Sequence, residues 1–415
     1  MQLVERHEID RKDPRYAVID AAAFKSKNLY NAALYEMRQA FIFQGKYITY
    51  NQLDKLMQTH EAYKALPAKV SQRILKVLVE NWESFKESKH AYEEDPSKFT
   101  GRPSLPKYKH KQEGRNILIY TLQALSGGRG RGAIQQGIIK PSMLAITVET
   151  KQHPERIDEV RIVPRNGYYV VEVVYSKDCI QAQVDPSFCV GIDLGVTNLA
   201  AIASNREGFL PRLVNGRPLK TWNQWYNKRM KELKKKLPKQ DRERVTRQME
   251  RITAKRNRQI HHYLHTASKR IIDFLVTEGV GTVIIGKNPL WKQEVKQGRH
   301  NNQNFVGIPH ARFIEMLTYK ASLVGIQVEV TEESYTSQAS FVDLDPIPDY
   351  KPNDKEEHVF SGKRIGRRKR LYRTKDGRTI CADVNGAYNI LRKRKPDAFA
   401  KGTAGYVVHP VRLAV

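Results

Sequence analysis

The feature that most constrains the fold is an alternation of strand-like and helix-like segments that begins at Phe188. The strand-like runs are short and apolar, and they occupy residues 190–195, 199–204, 282–286 and 326–331. The segments with helical spacing occupy residues 221–275, with a break at Pro238, and residues 309–324 and 384–394. Strands that alternate with helices predict an α/β sheet, and the first two strands are expected to form a hairpin.

The residues before this alternation follow a different pattern. A strand and a turn at Asp13-Pro14 precede helical spacing that starts at Ala21. Strand-like runs then return at residues 117–122, 145–150, 159–164 and 168–175. Asn166-Gly167 is a hairpin signal between the last two of these runs. We therefore expect a β-domain built from residues 1–20 and 97–180, interrupted by a helical module at residues 21–96.

The charge of the chain restricts its partners. Its 415 residues include 72 Lys and Arg against 44 Asp and Glu, which gives a formal net charge of +28 and a pI near 9.9. A field of this size attracts polyanions, and phosphate backbones are the obvious ones. A membrane surface is disfavoured because no basic amphipathic helix stands out at a terminus. A merely soluble basic protein is the simpler alternative, but here the cations cluster.

Two segments concentrate these cations. Residues 222–270 hold 16 Lys and Arg against 4 acids on helical spacing, which predicts a cationic stripe. A solvated helix face is the usual alternative, but such faces mix both signs. The predicted nucleic-acid contacts of this stripe are Lys228, Lys235, Arg247, Arg251, Lys255 and Arg256. A second segment interleaves cations with an aromatic ring, which suits phosphate contact and stacking, and its predicted contacts are Arg102, Lys107, Tyr108 and Lys109.

Cysteine usage and apolar runs exclude several classes. The three cysteines, Cys179, Cys189 and Cys381, form no CxxC pair, so neither a zinc ribbon nor a disulfide framework is expected. A reducing cytoplasm is the simplest setting. No apolar run approaches the roughly 20 residues that span a bilayer, and residues 1–13 lack the apolar core of a secretory signal.

Asp193 is the first candidate for chemistry. It ends an apolar strand and is followed directly by a turn, in VGIDLGVTNLA (190–200). This position lies at an open sheet edge, where Gly195 allows a metal ion or a phosphate to approach closely. We interpret Asp193 as a metal ligand, and a turn-capping aspartate is the alternative.

A second aspartate, Asp383, stands at the start of the last helical pattern, ADVNGAYNILRK (382–393). Alone, it would be interpreted as a helix N-cap. Together with Asp193 it favours a metal site, because two Mg²⁺ ions need three or four carboxylates from distant positions of the chain.

The third carboxylate is expected from Glu332 or Glu333, which follow the last strand-like run. If that strand neighbours the one before it, its tip points at the same sheet edge. The alternation of Ile326, Val328 and Val330 places Glu332 on the buried face and Glu333 on the other. Strand ends often bend, so both glutamates stay candidates, and a solvated acidic turn is the alternative.

Taken together, these pieces resemble the TnpB family of transposon-encoded, RNA-guided nucleases, which is ancestral to type V CRISPR effectors. The resemblance covers roughly residues 190–395 and runs in order through GIDLGVTNLA, VIIGKNPLWKQ, NNQNFVGIPHARFIEMLTYKA, EESYTSQAS and ADVNGAYNILRK. The SYTSQ and ADVNGAYNI pieces are the specific ones. The N-terminal part matches only in layout.

The resemblance implies a multidomain α+β fold. A β-barrel-like wedge domain (1–20 and 97–180) would carry a helical recognition insertion (21–96). An RNase H-like (RuvC) α/β domain (181–398) would follow, with a long basic helical insertion (221–275). Residues 399–415 would form a C-terminal tail.

The resemblance also implies an RNA-guided DNA endonuclease that uses Mg²⁺ or Mn²⁺ and works with a guide RNA on target double-stranded DNA next to a short flanking motif. Asp193 would be the first catalytic aspartate and Asp383 the last, with Glu332 or Glu333 completing the metal ligands. Further nucleic-acid contacts are expected from the SYTSQ motif and from a basic loop, at Tyr335, Ser337, Gln338, Arg367 and Arg368.

Two departures from the family pattern bear on this expectation. Most members carry a Glu where this chain has Gly286. Most also carry a CxxC…CxxC zinc ribbon where residues 339–380 contain no Cys and include a basic loop, KRIGRRKR (363–370), so no zinc is expected. We favour a rearranged site, because both aspartates are present. A nuclease-inactive RNA-guided DNA-binding protein and a DNA transposase with an RNase H-like core are the alternatives.

Overall fold

The computed structural model describes residues 1–126, 134, 137–241, 244–287, 307–349, 357–366 and 370–415. The chain forms two compact units, Met1–Lys177 and Asp178–Val415. Each unit contains helices and a β-sheet, so the predicted multidomain α+β class is confirmed. No helix in these ranges is long and apolar enough to cross a bilayer.

The first unit combines a sheet with a run of helices. Its strands are β1 (Gln2–Asp10), β2 (Leu118–Thr121), β3 (Ile138–Ile139), β4 (Val148–Glu149), β5 (Ile157–Arg165) and β6 (Tyr168–Ser176). Its helices are α1 (Tyr16–Gln44), α2 (Tyr50–Met57), α3 (Glu61–Lys64) and α4 (Ala68–Glu94). The antiparallel sheet has the order β1-β6-β5-β2, and β3 pairs with β4. The helices therefore come between two strands of one sheet.

Local sequence explains the turns of this unit. Arg165 pairs with Tyr168 across a two-residue loop in which Gly167 has a φ of +84°, so the predicted Asn166-Gly167 hairpin is confirmed. Helix α1 starts at Tyr16, earlier than the predicted Ala21. The reason is the preceding turn, where the carboxylate of Asp13 accepts the backbone N–H of Arg15 at 2.9 Å.

The second unit is built on a six-stranded mixed sheet. Its strands are β7 (Asp185–Leu194), β8 (Asn198–Ser204), β9 (Arg212–Asn215), β10 (Val280–Gly286), β11 (Gln327–Thr331) and β15 (Val411–Leu413). A small separate sheet, which lies between β11 and β15 in the sequence, contains β12 (Lys363–Ile365), β13 (Leu371–Arg373) and β14 (Thr379–Cys381). Its helices are α5 (Arg217–Lys235), α6 (Arg247–Thr277), α7 (His310–Ser322) and α8 (Ala382–Arg394).

The order of the large sheet is β11-β10-β7-β8-β9-β15. β8 runs antiparallel to β7 and β9, which confirms the predicted hairpin, whereas β10 is parallel to β7 and β11 is parallel to β10. The sequence did not predict β15, which pairs in parallel with β9. Residues 411–413, expected in a tail, thus extend the sheet.

Alternation along β7 separates the two faces of this sheet. Val190, Ile192 and Leu194 pack into a core with apolar side chains of α6 and α7. Cys189 packs into another core, which α8 completes on the opposite face. Because successive strand residues point to opposite faces, Asp193 is on the face that α8 covers.

The described residues between the SYTSQAS loop and α8 are organised by hydrogen bonds and a small apolar core. Tyr372 and Ile380 pack together, and the Tyr372 hydroxyl donates to the backbone oxygen of Gln338 at 2.7 Å. The Asp345 carboxylate accepts the backbone N–H of Ser340 and both the N–H and the hydroxyl of Ser361. These contacts link the SYTSQAS loop to the small sheet.

Candidate active site

Asp193 lies against the first turns of α8. A methyl group placed on Gly386 would lie 2.8 Å from the Oδ2 atom of Asp193, so the glycine leaves the space that this carboxylate uses. The first turn of α8 also carries Asp383. The strand end and the helix start therefore bring two distant aspartates to one edge of the sheet.

Asp383 is held by polar groups from two other elements. Its Oδ2 atom accepts hydrogen bonds from Nδ2 of Asn198 and from Nη1 of Arg370, each at 2.6 Å. Nη2 of Arg364 lies 3.6 Å from Oδ1. The side chain of Asp383 is only 9% exposed, and Cys381, not Asp383, is the N-cap residue of α8. The carboxylate is thus directed toward the site rather than to the helix backbone.

Glu333 reaches the same edge from the neighbouring strand. Gly286 ends β10, which lies between β7 and β11. A methyl group placed on Gly286 would lie 2.5 Å from the Oε2 atom of Glu333, and that oxygen is shielded from solvent. The carboxylate of Glu333 therefore occupies space into which a side chain at position 286 would project.

The alternation of apolar residues in β11 did not predict this arrangement. Ile326 is buried and Val328 packs against the core of α6 and α7, as expected, but Val330 is 51% exposed because β11 is an edge strand. The apolar phase identifies the face covered by α6 and α7. The alternation placed Glu332 on the buried face and Glu333 on the other, with both left as candidates, whereas in the structure Oε2 of Glu333 is shielded from solvent and the side chain of Glu332 is 29% exposed.

The opposite phase of β11 faces α8. Glu329 forms an ion pair with Arg394 in the last turn of that helix. Glu333 is four residues further on, in phase with Glu329, and reaches the α8 face where Asp193 lies. The site is built on the face that holds fewer apolar side chains of β11, which is why the hydrophobic pattern could not find it.

Glu332 has a different environment. Its carboxylate is paired with Lys393, whose ammonium also donates to the backbone oxygens of Ser334 at 3.2 Å and Pro348 at 3.0 Å. The side chain of Lys393 is 6% exposed. Although burial acts in the opposite direction, the hydrogen bonds from Lys393 and Ser334 lower the pKa of Glu332. Glu332 therefore fastens the loop after β11 to α8.

The electrostatics of the cluster differ from those of an ordinary surface. Burial, and then the neighbouring carboxylates of Glu333 and Asp383, raise the pKa of Asp193 well above its usual value, while Arg364 and Arg370 act against this shift. Burial, and then Glu332, raise the pKa of Glu333 to about 7. Carboxylates of like charge that share a buried site favour a bound cation or proton.

The donor set suits a hard divalent cation, because carboxylate oxygens are the ligands that Mg²⁺ and Mn²⁺ prefer. The raised pKa values of Asp193 and Glu333 mark negative charge that the fold does not balance. As the side chains stand, the described ranges contain no group of three His, Cys, Asp or Glu positioned to hold a metal ion. Asp383 is instead engaged with Arg370.

The predicted contact segment near residue 105 lies along α1. Asn31 pairs with the backbone N–H and oxygen of Lys109, both at 2.9 Å. Arg102, Lys107 and Tyr108 are exposed, whereas Lys109 is half-buried, which lowers its pKa. Three of the four predicted side chains are thus accessible to a ligand.

The helices α5 and α6 form the cationic pair that the sequence predicts. Its accessible cations include Lys228, Lys235, Arg247, Arg251 and Lys255. Trp225, 43% exposed, lies with its ring centre 5.6 Å from the Lys255 ammonium. Arg256 differs, because its guanidinium donates to Oδ1 of Asn223 and to the backbone oxygen of Gly307. Arg256 therefore fastens α6 to α5.

The SYTSQ loop is held by two asparagines of α8. Asn385 accepts the backbone N–H of Phe341 and donates to the oxygen of Ala339, and Asn389 donates to the oxygens of Thr336 and Ala339. In this loop Gln338 is exposed, while Tyr335 and Ser337 are half-buried. Arg367 and Arg368 lie outside the described residues.

Sequence reasoning missed three residues at the cluster. Arg364 and Arg370 were seen only as parts of a basic loop, and Asn198 only as part of a turn. The pairing itself depends on β14 leading directly into α8.

Two protein-family models match parts of this chain. The family OrfB_IS605, a probable transposase, matches residues 168–291, and the Cas12f1-like TNB domain matches residues 310–390. The resemblance to the TnpB family is thereby confirmed. No curated protein matches this TnpB-like chain significantly.

Two solved structures were matched, and only the first has a TM-score that supports a shared fold. The Cas12f1–sgRNA–target DNA complex matches with a TM-score of 0.50 and 17% identity, over 90% of this chain and 82% of that chain. The mini-RNA-guided endonuclease CRISPR-Cas_phi3 matches with a TM-score of 0.44 and 10% identity, over 94% and 92%.

Proposed function

We propose that this protein is an RNA-guided DNA endonuclease that hydrolyses phosphodiester bonds at the carboxylate cluster. The observation that carries the proposal is the position of Glu333. Its carboxylate fills the space left by the missing side chain of Gly286, on the face that holds Asp193. In this proposal, Glu333, which follows the neighbouring strand β11, is the third ligand.

The topology supports an RNase H-like (RuvC) assignment for residues 181–398. The central strand β7 has an antiparallel hairpin on one side and the parallel strands β10 and β11 on the other. Asp193 lies at the carboxyl end of β7, which is where ligands of such sheets bind. The helix α8 then brings Asp383 to the same end.

The partners we propose are a guide RNA and target double-stranded DNA. The net charge of +28 supports phosphate backbones as ligands, and the matched Cas12f1 structure is a complex with both kinds of nucleic acid. In this proposal the β-domain (1–20 and 97–180) acts as a wedge and the helices (21–96) as a recognition module. Base pairing with the guide would read sequence, and the protein would read a short flanking motif.

In the proposed chemistry, Asp193, Glu333 and Asp383 would hold Mg²⁺ or Mn²⁺. When bound, the metal supplies Lewis-acid stabilisation to the phosphodiester during in-line hydrolysis. Partial burial of Asp193 and Glu333 reduces the water around these carboxylates and strengthens their attraction for a cation. Asn198 donates to Asp383 and orients that carboxylate.

Cleavage of a programmed target tests the proposal. The protein is expressed with its native flanking DNA, purified with the RNA that it retains, and mixed with a plasmid library that carries the guide-matched target beside a randomised flank. We expect cleavage that requires Mg²⁺ and the RNA, and Asp193→Asn should abolish it while target binding persists. Wild-type binding without cleavage would contradict the proposal.

The two glutamates provide a matched pair of variants. Loss of a metal ligand removes several kcal/mol of transition-state stabilisation, so Glu333→Gln should slow cleavage about 10³-fold. Glu332→Gln removes the same charge one residue away and should slow it less than about tenfold, because Glu332 binds Lys393. Equal loss in both variants would refute the assignment of Glu333.

A nuclease-inactive RNA-guided DNA-binding protein is the second candidate function. The observation in its favour is the pairing of Asp383 with Arg370, which engages a proposed metal ligand. The plasmid experiment separates the two, since this candidate predicts guide-dependent binding with no product at any Mg²⁺ concentration.

A further inference from the structure

Two arginines cover the carboxylate of Asp383. Nη1 of Arg370 lies 2.6 Å from Oδ2, and Nη2 of Arg364 lies 3.6 Å from Oδ1. Arg364 belongs to β12, and Arg370 directly precedes β13. One small hairpin thus places positive charge on both oxygens of a proposed metal ligand.

The backbone of Arg370 has an unusual conformation. Its φ is +53°, in the left-handed region that is unfavourable for a residue with a Cβ and is usually occupied by Gly or Asn. The backbone oxygen of Arg370 accepts the N–H of Ala382, the first residue of α8. This conformation ties the hairpin to the helix start and directs the guanidinium at Asp383.

The pair is asymmetric in its exposure to solvent. The side chain of Asp383 is 9% exposed, whereas those of Arg370 and Arg364 are 30% and 51% exposed. A ligand from solvent can therefore reach the guanidinium groups more easily than the carboxylate. Guanidinium groups bind phosphate and carboxylate through the same pair of N–H donors, so a phosphate chain competes directly with Asp383.

We propose that Arg370, assisted by Arg364, is a switch that couples metal binding to the arrival of a nucleic-acid strand. In the free protein Arg370 holds Asp383 and lowers the affinity of the cluster for a divalent cation. A backbone phosphate that enters the site takes over the guanidinium and leaves Asp383 available. This inference rests on the proposed function of Asp193, Glu333 and Asp383 as metal ligands.

The loss of cation affinity depends on how often Arg370 occupies Asp383. When only a fraction of the molecules has a free ligand, the apparent affinity for the cation falls by that fraction. If Asp383 is free in about one molecule in ten, the cation binds about tenfold more weakly than to a protein without the switch. Binding of a strand and binding of the cation must then favour each other by the same factor.

Titration with Mn²⁺ followed by electron paramagnetic resonance tests the switch without any cleavage step. The probe is Mn²⁺ alone, added to the full-length protein purified with its RNA. We expect Arg370→Gln to tighten Mn²⁺ binding about tenfold and Arg364→Gln to tighten it less. Arg373→Gln is the matched control, because it removes the same charge from an exposed residue of β13 and should leave the affinity unchanged.

A second titration adds a single-stranded DNA oligonucleotide. It should tighten Mn²⁺ binding to the wild type and to Arg373→Gln, but not to Arg370→Gln, whose switch is already absent. Asp383→Asn supplies the background for Mn²⁺ bound by the DNA. The switch would be refuted if the Mn²⁺ affinity of Arg370→Gln were within twofold of that of the wild type. It would also be refuted if DNA increased the Mn²⁺ affinity of the wild type and of Arg370→Gln equally.

The same titrations separate failure of the switch from failure of the proposed function. If Asp193→Asn does not weaken Mn²⁺ binding in the Arg370→Gln background, the cluster is not the metal site and both proposals are wrong. If Asp193→Asn weakens binding while Arg370→Gln leaves it unchanged, only the switch is wrong. Thermal unfolding of each variant identifies any that misfolds. If Arg370→Gln misfolds, the Mn²⁺ affinity of Arg364→Gln tests the switch instead.

Discussion

The carboxylate cluster and the α5–α6 pair differ in where they place charges of like sign. At the cluster, the half-buried Asp193 and Glu333 lie beside other carboxylates, and the pKa of each is raised. On the helical pair, cations such as Lys228 and Lys255 point into solvent. One region concentrates like charges where the dielectric response is weak, and the other spreads them where water screens them.

This difference teaches what each region can do. Buried like charges destabilise a fold, and their presence indicates a function that requires them. Exposed cations have little effect on stability individually and attract a polyanion collectively. The cluster should therefore respond strongly to single substitutions, and the helical pair should respond in small steps.

Among substitutions outside the proposed metal ligands, the largest expected effect is at Gly286. Gly286→Ala would place a methyl group 2.5 Å from Oε2 of Glu333 and 2.6 Å from Cδ1 of Ile390. The Glu333 carboxylate can shift, but Ile390 is buried and its Cγ1 atom lies 3.0 Å from the added methyl, so the destabilisation should be roughly 1–3 kcal/mol. Displacement of the Glu333 carboxylate by even 1 Å should slow target cleavage about 100-fold. Cleavage rates and urea unfolding measure the two effects.

Gly101→Ala is the control for this prediction. A methyl group at Gly101 would meet no atom within 4 Å, so both stability and cleavage should be unchanged. A Gly286→Ala protein that cleaves at the wild-type rate would show that the carboxylate of Glu333 is not required where the structure places it.

The next effect is a pH dependence of stability. Folding raises the pKa of Glu333 from 4.5 to about 7, so the folded protein binds this proton more tightly than the unfolded chain does. The corresponding stability is full below pH 4.5 and is lost as the pH rises to about 7. Glu333→Gln should remove this loss, which is on the order of 2 kcal/mol after solvent screening. Urea unfolding in EDTA between about pH 4.5 and 8 measures it.

Glu332→Gln should have the opposite sign. Hydrogen bonds from Lys393 and Ser334 lower the pKa of Glu332, so its contribution is present above the unfolded value and is lost as the pH falls. This variant should therefore be less stable than the wild type at neutral pH. If the stability of Glu332→Gln and of Glu333→Gln changed with pH in the same way, the two glutamates would not have different environments.

The smallest effects are expected on the helical pair, with one exception. Lys255→Gln should change the free energy of unfolding by less than about 0.5 kcal/mol. It should reduce the slope of log K for RNA binding against log salt concentration by about one, which corresponds to the loss of one phosphate contact. Arg256→Gln should lower stability by roughly 1–3 kcal/mol, because it removes both arginine donors to Oδ1 of the buried Asn223 and one of the two donors to the oxygen of Gly307. Urea unfolding and salt-dependent binding distinguish these adjacent cations, and equal stabilities would refute the structural role of Arg256.

Much of the fold was accessible from local patterns. The Asn166-Gly167 hairpin and the β7–β8 hairpin form where the sequence predicts them, because turn chemistry and strand alternation act over a few residues. The break at Pro238 falls between α5 and α6, as expected. The edge strand β15 was missed, since a three-residue strand has no periodicity to detect.

The candidate site was accessible only in part. The sequence pointed to Asp193 and Asp383 through their positions at a strand end and a helix start, and the structure places both at one sheet edge. It left the choice between Glu332 and Glu333 open, because the apolar alternation placed Glu332 on the buried face, and only the structure shows the Glu333 carboxylate beside Gly286. The pairing of Arg370 with Asp383 was not visible, because it depends on the left-handed backbone of Arg370.

The sequence by itself determined the elements of this protein, the two aspartates that end or begin them, and the cationic character of α5 and α6. Only the tertiary structure decided which glutamate joins them and what surrounds each carboxylate. The physical reason is that hydrophobic alternation reports which side of a strand is apolar. It does not report which of two covered faces holds a polar site, and β11 contributes to that site from its less apolar side, through Glu333.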